Sequence, residues 1–392
     1  MSISEKAKKG IISGSYIRKM FEEGIALKKK YGEDKVFDLS IGNPVIEPPA
    51  RFKDELRYLA ENPRPGMHRY MENAGYTETR GAVAAKLTSE TGITFSGSEV
   101  VMTCGAAGAI NIAFKALLNP GEEVIAFAPF FFEYAPYSDN HGGVCKVLPS
   151  DANFVPDFAA LEAGITRQTK AIVINSPNNP TGVVYDDAVL KQLAEVVTRK
   201  SARLNTRVYI ISDDVYTRLY YGGDRCPRIL SYYPHTIVAT SYSKELSLPG
   251  ERIGYAAVHP ECEDVKEVAA ALIYANRVLG YINAPALMQN VVRNLQDVSV
   301  SVADYKKKRD FLLENLTRMG YSINKPQGAF YMFPRTPIRD DVAFVNELKE
   351  LLVLVVPGSG FTAPGYFRLC YCLDDRTIQG SLDGFRKAIE KY

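Results

Sequence analysis

The 392-residue sequence predicts an α/β protein with a central, seven-stranded, mostly parallel sheet flanked by helices. Most of its apolar runs lack the alternation of half-exposed strands, which indicates strands buried on both faces. Helical patterns separate most of these runs, as expected where right-handed crossovers join parallel strands. The seven runs are Val100–Thr103, Val124–Ala128, Val144–Leu148, Ala171–Asn175, Val208–Ser212, Ile237–Thr240 and Ile253–Val258.

The remaining patterns predict helices between the strands and a second, smaller α+β domain formed by the two chain ends. Helices are expected at Ala107–Leu118, which stops before a Pro-Gly pair, and at Leu190–Arg199. We expect a large domain at 45–285 and a discontinuous small domain at 1–44 and 286–392. The elements predicted for the ends are a helix at Tyr16–Tyr31, a strand at Phe37–Ile41, a long helical stretch from Pro285 to about Met319, strands at Tyr321–Arg335, Leu352–Pro357 and Tyr366–Leu373, and a closing helix from Thr377 to about Tyr392.

Composition is ordinary for a soluble globular protein, with 46% hydrophobic and 23% charged residues. The formal net charge of +2 does not indicate binding to nucleic acid or to a membrane surface. The six cysteines are scattered without a Cys-x-x-Cys pair or Cys/His cluster, so we expect reduced thiols and no metal site. No signal peptide or membrane-spanning run is visible, and we therefore expect a cytoplasmic protein.

The most informative segment follows the run Ile237–Thr240 and contains Ser241, Lys244 and Arg252. A desolvated lysine at the mouth of a buried strand readily loses its proton and attacks a carbonyl. A hydroxyl and a guanidinium nearby suit a phosphate dianion. An amine and phosphate ligands together are what pyridoxal phosphate (PLP) requires, because it is an aldehyde with a phosphate tail. A lone Ser-x-x-Lys is also common on solvated turns, so the interpretation depends on the other segments.

Polar residues at the ends of neighbouring strands supply further parts of such a site. Asp213 follows Val208–Ser212, where a carboxylate can pair with a protonated pyridine nitrogen or cap a helix. Tyr216 can hydrogen-bond the phenolic oxygen of the same ring. The prolines and glycine of the loop 175–182 demand a rigid turn after another strand. Because ligands of parallel sheets bind at the carboxyl ends of strands, we expect these residues to lie near Lys244.

In these segments the chain resembles the class I/II aminotransferases, the fold type I PLP enzymes, from about Ile17 to Arg386. The resemblance implies that Lys244 forms the Schiff base with PLP and carries protons during catalysis. It also implies that the first acid of the motif, Asp213 rather than Asp214, pairs with the pyridine nitrogen.

The resemblance assigns the phosphate and one face of the cofactor ring. Ser241 and Arg252 match phosphate ligands of the family. Backbone N–H groups of Ala106 and Ala107 match two more, in a loop whose small residues leave room beside a helix N-terminus. Phe131 matches the aromatic residue that stacks on the pyridine ring.

The ring oxygen is assigned to two other residues. The Asn that precedes Pro-Thr-Gly in the family bonds this oxygen, which makes Asn179 the candidate beside Tyr216. Asn175 is a second candidate for the same wall of the site.

Four residues are expected to meet the substrate or a partner subunit. Arg368 lies in an apolar strand, where a buried arginine requires an anionic partner. In the family, the matching arginine binds the substrate α-carboxylate. The backbone of Gly42 closes over that carboxylate. Tyr331 lies in another family segment, either in the site or only packed beside it. Tyr70 matches a tyrosine that reaches the phosphate in the partner subunit, which implies a homodimer with shared active sites.

The predicted activity is transfer of an amino group from an L-amino acid to a 2-oxo acid. A β-lyase, a decarboxylase or an aminocyclopropane carboxylate synthase-like enzyme is the alternative, because one fold supports several chemistries. A transcriptional regulator with an aminotransferase-like domain is disfavoured, since the chain begins at the family's first helix.

The amino donor stays open between aspartate, alanine and others, with 2-oxoglutarate as the expected acceptor. The phosphate loop Ala106–Gly108 lacks the lysine that some aspartate enzymes of the family use to reach a distal carboxylate. Arg18 and Arg277 are two candidates for that contact, and either is alternatively a solvated charge.

Overall fold

The seven predicted strands form one sheet. The computed structural model of the protein describes residues 3–12 and 16–392. Within this part of the chain twelve strands occur: β1 Phe37–Asp38, β2 Val100–Thr103, β3 Glu123–Phe127, β4 Val144–Leu148, β5 Thr169–Asn175, β6 Tyr209–Asp213, β7 Thr236–Ser241, β8 Gly254–Val258, β9 Tyr331–Met332, β10 Val353–Leu354, β11 Val356–Pro357 and β12 Phe367–Cys370.

The large sheet has the order β2-β8-β7-β6-β5-β3-β4. Only β8 is antiparallel to its neighbours, so the mostly parallel sheet is confirmed. The register places Asn175 of β5 beside Asp213 of β6, and Asp213 beside Ala239 of β7. The carboxyl ends of these three central strands therefore meet at one edge of the sheet.

Helices cover the sheet and carry the chain between its strands. Fourteen α-helices occur in the described residues: α1 Glu5–Ile12, α2 Tyr16–Tyr31, α3 Ala50–Glu61, α4 Thr77–Thr91, α5 Gly105–Leu117, α6 Tyr134–Asn140, α7 Phe158–Gly164, α8 Asp187–Leu204, α9 Tyr242–Glu245, α10 Val265–Val278, α11 Ala286–Arg293, α12 Val302–Arg318, α13 Asp341–Glu350 and α14 Asp375–Ile389. None of these helices is long and apolar enough to cross a membrane.

In the described part of the chain, two small sheets lie outside the large one, and the N-terminal part contributes a strand to only one of them. β1 near the N-terminus pairs in parallel with β10, and β11, β12 and β9 form an antiparallel three-stranded sheet. One large buried cluster continues from these sheets to one face of the seven-stranded sheet, where Ile174 and Ile210 lie in the same core as Leu39 and Phe367.

Three predicted elements of the C-terminal part differ from the structure. The strand predicted at Leu352–Pro357 is two short strands, β10 and β11, which belong to different small sheets. The stretch from Pro285 to Met319 is two helices, α11 and α12, because the Ser301 side chain caps α12 by accepting from the Asp304 N–H at 3.4 Å. The backbone N–H of Val300 instead donates to the Glu245 carbonyl at 2.8 Å. The strand predicted at Tyr321–Arg335 is regular only at Tyr331–Met332, because Pro326 and Pro334 interrupt the ladder on both sides. Gly328 and Arg335 form only isolated bridges, to Tyr220 and Tyr366.

Candidate active site

A cleft of about 340 Å³ opens at the carboxyl edge of the sheet. It brings together eleven of the twelve predicted site residues, and Tyr70 is the exception. Asn175 and Tyr331 also line it. The eleven are Gly42, Ala106, Ala107, Phe131, Asn179, Asp213, Tyr216, Ser241, Lys244, Arg252 and Arg368.

Lys244 presents a buried amine to this cleft. It lies on α9, a four-residue helix that begins directly after β7 and is capped by Ser241. Its Nζ donates to the Gly42 carbonyl at 2.9 Å. Burial lowers the pKa of Lys244 from its ordinary value, and the positive charges of Arg368 and Arg252 lower it further. The lowered pKa makes the neutral amine, the nucleophilic form that attacks a carbonyl, more accessible than in an exposed lysine, although Cys372 and Cys370 oppose the shift.

Asp213 presents a carboxylate with one free oxygen. Its Oδ2 accepts a hydrogen bond of 2.5 Å from the hydroxyl of Tyr134, a buried residue of α6. Its Oδ1 is buried and has no hydrogen-bond partner in residues 3–12 and 16–392. Burial raises the pKa of Asp213 to about 7, and the Tyr134 hydrogen bond opposes the rise. A buried acceptor of this kind suits a cationic N–H donor such as a pyridinium nitrogen.

The opposite end of the cleft suits an anion. Helix α5 begins at Gly105 with φ of 73°, and its first amides belong to Gly105, Ala106 and Ala107. No side chain caps this helix end, which leaves N–H groups for a ligand. The Arg252 guanidinium lies against Gly105, where an added Cβ would be 3.1 Å from Nη2. Arg252 also donates to the Pro249 carbonyl at 2.7 Å, which fixes its direction.

The side chain of Asn175 hydrogen-bonds the backbones of Asp213 and Asn179 and is therefore not free to bind a ligand in the cleft. Its Nδ2 donates to the Asp213 carbonyl at 2.8 Å, and its Oδ1 accepts from the Asn179 backbone N–H at 2.7 Å. Both ends of the side-chain amide are thereby used. Asn175 holds the loop 175–182 against the end of β6.

Arg368 is a buried guanidinium without an acidic partner. The residue is 2% exposed, and its Nη atoms donate to Asn179 Oδ1 at 3.0 Å and to the Ser40 carbonyl at 2.6 Å. Among the residues that the structure describes, it forms no ion pair, and its Nε has no hydrogen-bond partner. The rings of Tyr331 and Phe361 lie 4.7 and 4.9 Å from the guanidinium carbon. This environment suits a ligand carboxylate.

Two tyrosines complete the wall between Lys244 and Arg368. The hydroxyls of Tyr216 and Tyr331 lie 3.1 Å apart. Burial raises the pKa of both phenols, so both stay protonated at neutral pH. A Cβ at Gly42 would lie 2.0 Å from the Tyr331 hydroxyl, which explains why glycine is needed there. Tyr331 thus belongs to the cleft and does not only pack beside it.

Three predicted residues lie away from the cleft of their own chain. Tyr70 is 89% exposed and lines a separate surface hollow. Arg18 on α2 pairs with Glu22 at 3.1 Å, and Arg277 on α10 lies with its guanidinium carbon 5.7 Å from the ring centre of Tyr274. Within one subunit, neither arginine reaches the substrate region.

Sequence reasoning missed two tyrosines of the site. Tyr134 contacts Asp213, and Tyr137 lines the cleft. Tyr134 lies three residues after Phe131 in an aromatic stretch of the sequence, and this spacing was the available signal. No group of three or more His, Cys, Asp or Glu side chains in the described ranges is placed to hold a metal ion.

The geometry fits PLP. A buried amine, a carboxylate oxygen without a donor, an anion-binding helix end and an aromatic side chain, Phe131, line one cleft. These are the groups that an aldehyde, a pyridine nitrogen, a phosphate and a planar ring require.

Comparisons with known proteins identify the family of the chain. A probable aspartate/prephenate aminotransferase from Thermus aquaticus is 34% identical over 361 residues, which cover 90% of this chain and 91% of that protein. The crystal structure of an amino transferase from Eubacterium rectale has a TM-score of 0.96 and 39% identity, and covers 100% of this chain and 99% of its own. An aspartate aminotransferase from Thermus thermophilus, crystallised with maleate, has a TM-score of 0.87 and 29% identity, with coverage of 99% and 100%. The family model for aminotransferase class I and II matches residues 34–384, and the chain belongs to this family of PLP-dependent aminotransferases.

Proposed function

We propose that Lys244 is the Schiff-base lysine and the proton carrier of this aminotransferase, and that Arg368 binds the α-carboxylate of every substrate. The observation that carries the proposal is that one cleft contains a buried amine with a lowered pKa and a buried guanidinium without an acid. An amino acid whose α-carboxylate is bound by the Arg368 guanidinium presents its Cα to the amine of Lys244.

When bound, PLP supplies a ring that accepts the electrons left behind when the substrate Cα loses its proton. Lys244 Nζ would take that proton and hold it beside the bound cofactor. Its hydrogen bond to the Gly42 carbonyl at 2.9 Å keeps the amine at the cleft. Gly42 itself leaves room for the Tyr331 hydroxyl beside the substrate.

The same proposal assigns the cofactor contacts. Asp213 pairs with the pyridine nitrogen through its unpartnered Oδ1, and Tyr216 and Asn179 face the ring oxygen. Phe131 stacks on the ring.

The phosphate is assigned to the other end of the cleft. Ser241, Arg252 and the amides of Ala106 and Ala107 bind it. The uncapped start of α5 and the fixed Arg252 guanidinium support this assignment.

A homodimer with shared active sites is the second part of the proposal. The 89% exposure of Tyr70 supports it, because a tyrosine so exposed in one chain is free to enter the site of another.

We place the protein in the cytoplasm. We divide the chain into a cofactor domain at 45–285 and a small domain at 1–44 and 286–392. The separate small sheets support this division.

Aspartate is our proposed donor, with 2-oxoglutarate as acceptor. The support is the similarity to relatives named aspartate/prephenate aminotransferase and aspartate aminotransferase. In a dimer, Arg277 of one subunit or Arg18 is the candidate for the distal carboxylate. A donor panel tests this: Arg277→Ala should weaken kcat/KM for aspartate and spare alanine, and an Arg18→Ala variant decides between the two arginines.

Product analysis tests the reaction type. With aspartate and 2-oxoglutarate, we expect equimolar oxaloacetate and glutamate. Without a 2-oxo acid, we expect no more than one product per active site. Continued release of ammonia or carbon dioxide without an acceptor would instead show a lyase or decarboxylase.

A further inference from the structure

Six side chains of alternating charge form a continuous chain of ion pairs behind the cleft. Lys86 Nζ lies 2.8 Å from Glu245, and Arg218 lies 3.6 Å from the same carboxylate and 2.7 Å from Glu90. The chain continues through Arg228, which lies 3.2 Å from Glu90 and 3.6 Å from Asp214. The ion-pair chain is, in order, Lys86, Glu245, Arg218, Glu90, Arg228 and Asp214.

Two of its acids are the sequence neighbours of the proposed catalytic groups. Glu245 directly follows Lys244, and Asp214 directly follows Asp213. Consecutive Cα atoms are about 3.8 Å apart across a rigid peptide unit, so a shift of either acid moves its neighbour. The ion-pair chain therefore connects the amine and the carboxylate of the cleft through groups that do not line it.

Hydrogen bonds also hold Asp214 and Glu245, the two acids at which the ion-pair chain meets the proposed catalytic residues. Ser212 Oγ donates to Asp214 at 2.5 Å, and the Asp214 N–H donates to the Ala239 carbonyl at 2.9 Å. On the other side, the Glu245 carbonyl accepts from Val300 at 2.8 Å. Helix α9 has only four residues, so its own hydrogen bonds do little to fix Lys244.

The centre of the ion-pair chain borders a second cleft of about 320 Å³, which Glu90, Arg218 and Arg228 line. The side chains at its ends are nearly buried, whereas those of Glu90 and Arg218 are partly exposed. Burial acts to raise the pKa of Glu90, but the charges of Arg228, Lys86 and Arg218 hold it below its ordinary value. Glu90 is thus ionised and joins the two halves of the chain.

We propose that Glu90, Arg218 and Arg228 are positioning residues, which set the relative placement of Lys244 and Asp213 through Glu245 and Asp214. Alternating charges in a partly buried chain favour one geometry, and removal of one partner leaves an uncompensated charge whose neighbours rearrange toward new contacts. The inference rests on the proposed roles of Lys244 and Asp213.

Glu90→Gln tests the proposal because it removes the central charge and keeps the shape. The matched control is Glu162→Gln, which breaks an exposed ion pair of 2.9 Å with Arg199. We expect Glu90→Gln to lower kcat about 10- to 100-fold per bound cofactor, with KM changed much less, since a misplaced catalytic group costs rate rather than binding. We also expect a shift in the pH titration of the bound-cofactor absorbance and a weaker circular dichroism in that band. Glu90→Asp should recover part of both.

A purely structural role predicts a different result. Glu90→Gln would then lower the Tm, while kcat per bound cofactor and the absorbance titration match those of Glu162→Gln, and this would overturn the proposal. If Glu90→Gln does not fold, Arg218→Lys gives the same comparison, because it keeps the charge but loses the fork that joins Glu90 to Glu245. Borohydride labelling of wild-type Lys244 distinguishes a failure of the proposed positioning role from a failure of the proposed function. A labelled, active wild type with unaffected variants refutes only the positioning role, whereas an unlabelled Lys244 refutes the proposed function.

Discussion

The hydroxyl of Tyr134 donates to one oxygen of Asp213 at 2.5 Å, and the other oxygen has no hydrogen-bond partner in the described part of the chain. The hydrogen bond fixes the carboxyl group in one orientation and favours its ionised form, against the effect of burial. Tyr134 therefore supports the electrostatic role that we propose for Asp213 without contacting the reacting atoms.

Removal of this hydroxyl should weaken that role. A hydrogen bond to a charged group contributes about 1.5–3 kcal/mol, so we expect Tyr134→Phe to lower kcat about 10- to 100-fold. Cofactor affinity should fall as well, because the carboxyl group is then protonated more readily. Steady-state kinetics and a fluorescence titration with PLP measure both quantities. Unchanged values for both would contradict the role of Tyr134, and Tyr137→Phe provides a control at another phenol of the cleft.

The pH dependence of stability should report the raised pKa of Asp213. Burial raises this pKa from 3.8 to about 7, so the folded cofactor-free protein binds this proton more tightly than the unfolded chain does. The stabilisation is fully present below about pH 3.8 and is lost as the pH rises through about 7.

Asp213→Asn is neutral at every pH and should keep that stabilisation. Relative to this variant, the cofactor-free wild type should lose free energy of unfolding between about pH 4 and pH 7 and stay constant above. Denaturant unfolding at a series of pH values measures the difference. The exposed Asp54→Asn serves as the control. A difference that does not vary with pH would show that folding does not raise the pKa of Asp213 in the cofactor-free protein.

Arg368→Leu should affect all substrates alike. Loss of one partner from a buried charge-assisted pair costs about 2–5 kcal/mol, so kcat/KM should fall about 30-fold or more for every amino acid and 2-oxo acid. PLP affinity should change little, because the phosphate lies at the Arg252 end of the cleft. The exposed Arg335→Leu is the matched control. Selective loss of dicarboxylic substrates would instead place Arg368 on the distal carboxylate.

Mixed dimers test the sharing of active sites. If Tyr70 completes the site of its partner, a Lys244→Ala subunit combined with a Tyr70→Phe subunit has one site with both residues intact. The mixture should then regain about half of the wild-type activity per heterodimer, because one of two independent sites is complete. If Tyr70 acts in its own subunit, one site lacks the lysine and the other lacks the tyrosine. Activity would then not exceed that of the Tyr70→Phe dimer.

The sequence predicted the large sheet well because its strands are buried on both faces. Runs such as Ala171–Asn175 carry that signal without help from distant residues. The predicted strand Tyr321–Arg335 was mostly wrong, because Pro326 and Pro334 limit its regular pairing to Tyr331–Met332, and the extent of the small strands also depends on distant partners such as Cys370. Local patterns do not reveal such pairings.

The cleft residues were predictable where a motif or a strand end marked them, as with Lys244 and Asp213. Tyr134 was missed because its importance depends on a neighbour 79 positions away. The ion-pair chain could not be predicted either, because Glu90 pairs with Arg218 and Arg228 across long stretches of sequence that come together only on folding. Charged residues in a sequence are usually solvated, and no pattern distinguishes these.

The central claim is that Lys244 carries the cofactor, and borohydride reduction of the PLP-loaded protein tests it most directly. Peptide mass spectrometry should place one reduced pyridoxyl group per subunit on Lys244. Lys244→Ala should lose both the label and the visible absorbance of the bound cofactor. Lys86→Ala, which changes a buried lysine outside the cleft, should keep the label. A stoichiometric label on any other lysine of the wild-type protein would contradict the account.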